Sequence, residues 1–168
     1  MEKLVLIIGG NLGDRLLLIQ RARIMLSEKL GDELLASSIF ETEAWGGKST
    51  GNYLNQVLIF ESQLEPFQVL SIIQGIEQQL ERVREVKWGD RTMDIDILYY
   101  GERILDAEKL IIPHPFLEQR RFVLEPLAEV MPEFIHPVLG KTQAELLAKC
   151  TDHSKVRTYE KSPEYPGH

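Results

Sequence analysis

Residues 53–100 read YLNQVLIFESQLEPFQVLSIIQGIEQQLERVREVKWGDRTMDIDILYY, and this stretch decides the fold. Tyr53 to Phe60 is an apolar run of strand length. Pro66 suits the first turn of a helix, where its missing N–H costs nothing. Val69, Ile72, Ile73, Ile76, Leu80 and Val83 then fall on one apolar stripe, with Gln74, Glu77, Glu81 and Arg84 largely off it. Met93 to Tyr100 alternates with period two, which predicts a second strand. The stretch is therefore strand, helix, strand.

Working outward, the N-terminal segment repeats that order. Leu4 to Ile8 is a compact apolar run, followed by Gly9-Gly10-Asn11-Leu12-Gly13-Asp14, which reads as a turn and a helix start. Leu18, Ala22, Met25 and Leu26 recur at helical spacing, and Gly31 is a suitable stop. Leu35 to Thr42 suits a short strand, and Glu43 to Asn52 a loop. Strand, helix, strand, strand, helix, strand is the order of two split βαβ halves. These interlock as an antiparallel sheet with both helices on one face, an α+β, ferredoxin-like arrangement. The remaining third, Glu102 to Lys149, carries a Pro113-His114-Pro115 turn and short helical patterns around Arg121 to Glu129 and Gln143 to Cys150. A single domain over 1–150 is expected. From Thr151 to His168 the apolar periodicity fades and Pro163 and Pro166 enter, so a loosely attached tail is expected there.

A chain of 168 residues is close to one ordinary domain. With 26 acidic and 19 basic residues its net charge is −7, which disfavours nonspecific nucleic-acid binding through a basic surface. Hydrophobic residues at 43% and charged ones at 27% are globular values. Leu4 to Ile8 is too short for a signal-peptide core and no run approaches a membrane span, so a cytoplasmic location is expected. Cys150 is alone and sits beside Leu146 and Leu147, as a packed helical residue would.

Chemistry concentrates in Arg91-Thr92-Met93-Asp94-Ile95-Asp96-Ile97-Leu98. Strand alternation puts Asp94 and Asp96 on one face and Met93, Ile95 and Ile97 on the other. Spacing alone leaves two readings open: a solvated strand face, or a carboxylate pair compensated by a divalent cation. Arg82, Arg84 and Lys87 precede this strand, and Arg91 lies at its start. Guanidiniums beside paired carboxylates suit polyphosphate chemistry; taken alone, Arg82 and Arg84 are better explained by a helix C-terminus attracting cations, which explains Arg91 less well because it lies beyond the helix. Tyr53 and Asn55 share a strand face and pair an aromatic plane with an amide able to read a heterocycle edge. The Gly-rich turn lacks both the dinucleotide fingerprint and a P-loop lysine. Gly47-Lys48-Ser49 ends like a phosphate-binding loop but precedes a strand, and the four histidines lack zinc spacing.

Taken together, Arg82-Val83-Arg84, Trp88-Gly89-x-Arg91-Thr92-x-Asp94-x-Asp96 and Pro113-His114 resemble the 6-hydroxymethyl-7,8-dihydropterin pyrophosphokinase family of folate biosynthesis. Gly9-x-Asn11-Leu12, Thr42, Tyr53-Leu54-Asn55, Glu77, Arg120 and Phe122 extend the resemblance over about residues 1 to 150. It implies transfer of pyrophosphate from ATP to the pterin hydroxymethyl oxygen with release of AMP, using two magnesium ions (Mg2+). By the same resemblance, Asp94 and Asp96 are the metal ligands and Arg82 and Arg91 the catalytic arginines. Gln74, Glu77, Arg84, Ile97, Lys109, His114 and Arg120 form the ATP site; Thr42, Trp45, Tyr53, Asn55 and Phe122 form the pterin site. Mobile loops are implied at Gly9 to Asp14, Ala44 to Asn52 and Val83 to Gly89. The chain departs from the family pattern at Gly10, at Glu43-Ala44-Trp45 and at Asp90.

Overall fold

The computed structural model describes residues 1–43, 52–81 and 93–159. Strand β1 (Glu2–Gly10) leads through a short turn into helix α1 (Arg15–Leu30). The helix starts where the Asp14 side chain accepts the Leu17 N–H at 3.2 Å, an N-cap that satisfies one of the free first-turn donors. It ends at Gly31, whose φ of 93° is one that a side-chain-bearing residue rarely adopts. Two short strands follow, β2 (Leu35–Ala36) and β3 (Phe40–Thr42), then β4 (Tyr53–Ser62), α2 (Pro66–Glu81) and β5 (Asp94–Tyr100). The single strand expected over Leu35 to Thr42 is thus broken in two. At the break, Ser37 Oγ accepts the Val57 N–H at 2.9 Å and Gln56 Nε2 donates to the Ser37 carbonyl at 2.7 Å, so side chains replace part of the backbone ladder.

The main sheet runs β5-β1-β4-β3, with β2 also on β4, and β1 is antiparallel to both its neighbours. That order is the one two interlocked βαβ halves produce. Leu4, Leu6, Ile8, Leu58, Ile95 and Ile97 face α1 and α2, which contribute Leu18, Ile19, Ala22, Leu26, Val69, Ile73 and Ile76 to the same core. Each of these buried Leu, Ile and Val side chains stabilises the fold by roughly 1.5–3 kcal/mol relative to exposure. Both helices therefore share a face, as the sequence predicts.

The opposite face is not left bare. After a small hairpin of β6 (Leu105–Asp106) and β7 (Ile111–Ile112) and a 3-10 turn at Leu117–Gln119, α3 (Arg121–Val130) and α4 (Gln143–Lys149) cover part of it. Val5, Ile7, Val57, Ile59, Leu98 and Tyr99 pack there against Val123, Leu124, Leu127 and Leu146. The one-face arrangement expected of the two βαβ helices holds for α1 and α2, and α3 and α4 add a second layer, because the central strands are apolar on both sides and both sides must be covered. Cys150 is buried at the end of α4.

Two further expectations change. Gly9 and Gly10 are the last residues of β1 rather than part of a turn. The segment from Thr151, expected to hang loose, is bound through Tyr159: β8 (Val156–Thr158) pairs antiparallel with β3 and extends the sheet at that edge. Its hydrogen-bonding partners are more than 100 residues distant in sequence, which local periodicity cannot reveal. Residues 160–168 of the expected tail lie outside the described residues. Among the described residues, no helix is long and apolar enough to cross a membrane.

Candidate functional site

The uncovered part of the second sheet face lies where β5 and β4 begin and β1 ends. Register fixes what meets there. Asp94 of β5 is opposite Gly9 of β1, which is opposite Asn55 of β4, which is opposite Phe40 of β3. Opposed residues on antiparallel strands project to the same face, so Asp94 and Asn55 stand on one face about 10 Å apart, two strand spacings. Asp96 is one repeat further along, with Ile7 and Val57 in its row. Thr42 is opposite Tyr53. Met93, Ile95 and Ile97 are buried on the α1/α2 side, as alternation requires.

Gly9 makes this arrangement possible. A Cβ there would collide with Asn55 Oδ1 and with the Leu54 carbonyl, so only glycine lets the Asn55 amide lie across β1. Asn55 is buried although polar. Thr42 is buried too, and its Oγ1 has no hydrogen-bond partner among the described residues, the kind of orphaned group that a ligand's polar edge satisfies.

The carboxylates sit in a mixed field. Burial raises the Asp96 carboxyl above the ordinary aspartate range, and Asp94 beside it raises it further; His114 and Arg120 pull the other way. His114 Nε2 lies 3.9 Å from Asp96 Oδ2, and its backbone N–H bonds to the Leu98 carbonyl at 3.0 Å, which fixes the Pro-His-Pro segment against β5. Behind β5, Glu77 of α2 accepts the Ile95 N–H at 2.8 Å. Because β5 is the sheet edge, that donor would otherwise have no partner strand. Burial pushes the Glu77 carboxyl up to about 7; the Ile95 bond opposes this, while Asp94, Asp96 and Glu81 add to it.

A cavity of about 230 Å3 adjoins the pair. Asp96, Ile97, Lys109 and His114 line it together with Leu70, Ile73, Leu110 and Ile111. Glu108 also reaches the lining, so a slot with apolar walls carries two carboxylates, an ammonium and an imidazole at its edge, and suits a planar heterocycle whose anionic groups arrive with a cation.

The structure thus brings together Asp94, Asp96, Glu77, His114 and Arg120, and gathers Ile97 and Lys109 at the adjoining cavity. Gln74 is exposed on the α2 turn preceding Glu77. Thr42, Tyr53 and Asn55 share the carboxylate face, and Phe122 enters from α3, half-buried against the core on that side. Arg82, Arg84, Arg91 and Trp45, the loop expected at Val83 to Gly89, and all but Asn52 of the loop expected at Ala44 to Asn52 lie outside the described residues. Sequence reading missed Leu70, Ile73, Leu110 and Ile111 as cavity walls. It also missed the role of Gly9, although a glycine inside an apolar strand pattern signals close backbone approach.

Fold and site define a class: a small α+β protein presenting paired carboxylates and a ligand-sized slot at one end of its sheet. Comparison with known proteins narrows it. A family model for 7,8-dihydro-6-hydroxymethylpterin-pyrophosphokinase (HPPK) matches residues 5–132, and the chain belongs to that family. It is 40% identical over 141 residues to the 2-amino-4-hydroxy-6-hydroxymethyldihydropteridine pyrophosphokinase of Aquifex aeolicus, covering 84% of this chain and 88% of the relative. The Bacillus subtilis protein of the same name is 40% identical over 124 residues, 73% of this chain and 74% of its own. A Pneumocystis carinii folic acid synthesis protein is 36% identical over 90% of this chain, which spans only 20% of that longer protein. Among solved structures, a Plasmodium falciparum HPPK-DHPS with pterin and p-hydroxybenzoate superposes with a TM-score of 0.68 at 18% identity. The match covers 88% of this chain and 43% of that one, and shows the shared fold.

Proposed function

We infer that the chain transfers the pyrophosphoryl group of ATP to the hydroxymethyl oxygen of 6-hydroxymethyl-7,8-dihydropterin, releasing AMP, as a step of folate biosynthesis. The observation that carries this reading is the single sheet face on which the Asp94–Asp96 pair and the Asn55 amide stand two strands apart, in a chain 40% identical to a named pyrophosphokinase. A cytoplasmic location, where ATP is available, belongs to the same proposal.

Asp94 and Asp96 would hold magnesium, two ions with the nucleotide. Hard carboxylate oxygens fit that ion, and a cation would offset both the burial that chiefly raises the Asp96 carboxyl and the repulsion from Asp94 that adds to it. Magnesium bound there supplies charge neutralisation on the phosphate oxygens. The chain's own residues orient the reactants. Ile97, Lys109 and His114 at the cavity, with Gln74, Glu77 and Arg120 around it, bind ATP. Thr42, Tyr53, Asn55 and Phe122 hold the pterin, Asn55 and Thr42 reading its polar edge and the two rings stacking on its faces. Arg82 and Arg91 neutralise charge on the transferred and departing groups, with Arg84 on ATP and Trp45 on the pterin side. Attack at the β-phosphorus rather than the γ-phosphorus is then a matter of placement: the acceptor oxygen is delivered from the Asn55 side in line with the bond to the leaving AMP.

Calorimetric titration tests this. With magnesium and a non-hydrolysable ATP analogue present, the pterin should bind the enzyme; without nucleotide its affinity should fall sharply. Pterin binding indifferent to nucleotide would contradict the reading.

A further inference from the structure

The family model ends at residue 132, yet the segment from Cys150 to Tyr159 is tied into the molecule at both walls of the pterin side. At its start it grips α3. Asp152 Oδ2 accepts the Arg121 backbone N–H at 2.9 Å, and Arg121 Nε donates back to the Asp152 carbonyl at 2.7 Å. Asp152 Oδ1 is held by the Ser154 N–H at 2.9 Å and the Ser154 hydroxyl at 2.6 Å. Arg121 stands between Arg120 and Phe122, so this knot fixes the end of α3 that presents the Phe122 ring.

The segment then crosses to β3. The Glu43 N–H bonds to the Lys155 carbonyl at 3.3 Å, and the Tyr159 N–H to the Ile39 carbonyl at 2.7 Å, bracketing the β3–β8 ladder. Arg157 Nη2 donates to Glu41 Oε1 at 3.1 Å, and its Nη1 lies 3.8 Å from Glu43 Oε1. The second Glu41 oxygen accepts from Arg15 Nη1 at 3.2 Å, and that same nitrogen donates to the Asn52 carbonyl at 2.8 Å. Glu41, held from both sides, joins β8 to the start of α1 and to the residue before Tyr53. Thr42 lies between Glu41 and Glu43.

We propose that residues 150–159 are a strap that sets the spacing between the β3 wall and the α3 wall of the pterin site, with Arg157 and Asp152 as positioning residues. The proposal rests on the functional reading above and deepens it. Sheet order makes its effect one-sided: β8 and β3 form one edge and β5, with the ATP cavity, the other, roughly four strand spacings or 19 Å away. Loosening the β3 end of the strap should therefore spoil pterin binding and spare ATP binding, whereas Asp152, which holds Arg121 beside Arg120, bears on both sites.

The test uses the full chain and three variants, Arg157→Ala, Arg157→Lys and Asp152→Asn. Arg157→Ala should raise the KM for the pterin about three- to fivefold, the scale of losing exposed ion pairs. The KM for ATP should stay within about twofold and kcat should change little. Arg157→Lys should recover most of the loss, and Asp152→Asn should also raise the pterin KM, with a change in the ATP KM allowed there because Arg121 adjoins Arg120. Amide exchange at Glu43 and Tyr159, measured without ligands, should quicken in Arg157→Ala. In Arg157→Ala, equal rises in both KM values, an unchanged pterin KM, or unchanged exchange would overturn the strap. If wild-type protein makes no pterin diphosphate, the functional reading fails instead, while the exchange comparison still decides whether Arg157 holds β3.

Discussion

Replacing Glu77 with glutamine separates the two things this side chain does. Its carboxylate closes the edge of the sheet by accepting the Ile95 N–H at 2.8 Å, and glutamine keeps a carbonyl oxygen for that bond. Its charge, however, is half-buried beside Asp94 and Asp96, and the carboxyl is pushed up from the ordinary 4.5 to about 7. A carboxyl raised on folding means that the folded protein binds more protons than the unfolded chain between these values. Its contribution is therefore fully present below pH 4.5 and lost as pH rises through 7. At about 1.4 kcal/mol per pH unit the ceiling is roughly 3 kcal/mol; water at the open side of the group reduces this to about 1–2 kcal/mol. Urea unfolding at pH 5, 6, 7 and 8 measures it. The wild-type protein should lose that amount of stability relative to Glu77→Gln across the range, and the variant should be the more stable at pH 8. Parallel stability curves for the two proteins would refute the reasoning.

Gly9→Ala should destabilise the fold by about 1–3 kcal/mol, because the new methyl meets the Leu54 backbone carbonyl, which cannot turn away, as well as the Asn55 amide. Pterin affinity should fall with it, and a normal urea midpoint with normal pterin binding would contradict the close approach. Asp96→Asn should lower turnover by about 10²-fold or more through loss of a metal-ligating charge. Its thermal stability should be unchanged or slightly raised, because a buried charge repelled by Asp94 is removed; near-normal turnover would remove Asp96 from the metal site.

Much of the sheet was legible because its signals are local. Met93, Ile95 and Ile97 alternate with Asp94 and Asp96, and the structure buries the first set and leaves the carboxylates on the other face. Asp14 and Gly31 cap α1 through groups within a few residues of each, so the helix ends were readable. The second helical layer was harder. Val5, Ile7, Val57 and Ile59 interleave with Leu4, Leu6, Ile8 and Leu58, and such unbroken apolar runs mean burial on both faces, a signal that favours the observed sandwich over an open sheet. The strap left almost no local trace. Val156–Thr158 is three residues long, and its stability comes from Phe40–Thr42, Glu41 and Glu43, positions that only the folded chain brings near. The cavity walls Leu70, Leu110 and Ile111 read as ordinary core or hairpin residues because apolar lining and apolar core use the same side chains.

The identity of the bond broken in ATP tests the central claim most directly. The protein is incubated with ATP, magnesium and 6-hydroxymethyl-7,8-dihydropterin, and the nucleotides and pterins are resolved by chromatography. Attack by the pterin oxygen on the β-phosphorus predicts AMP and a pterin diphosphate in equal amounts, both absent when the pterin is left out. ADP as the primary product, or ATP consumption indifferent to the pterin, would contradict it.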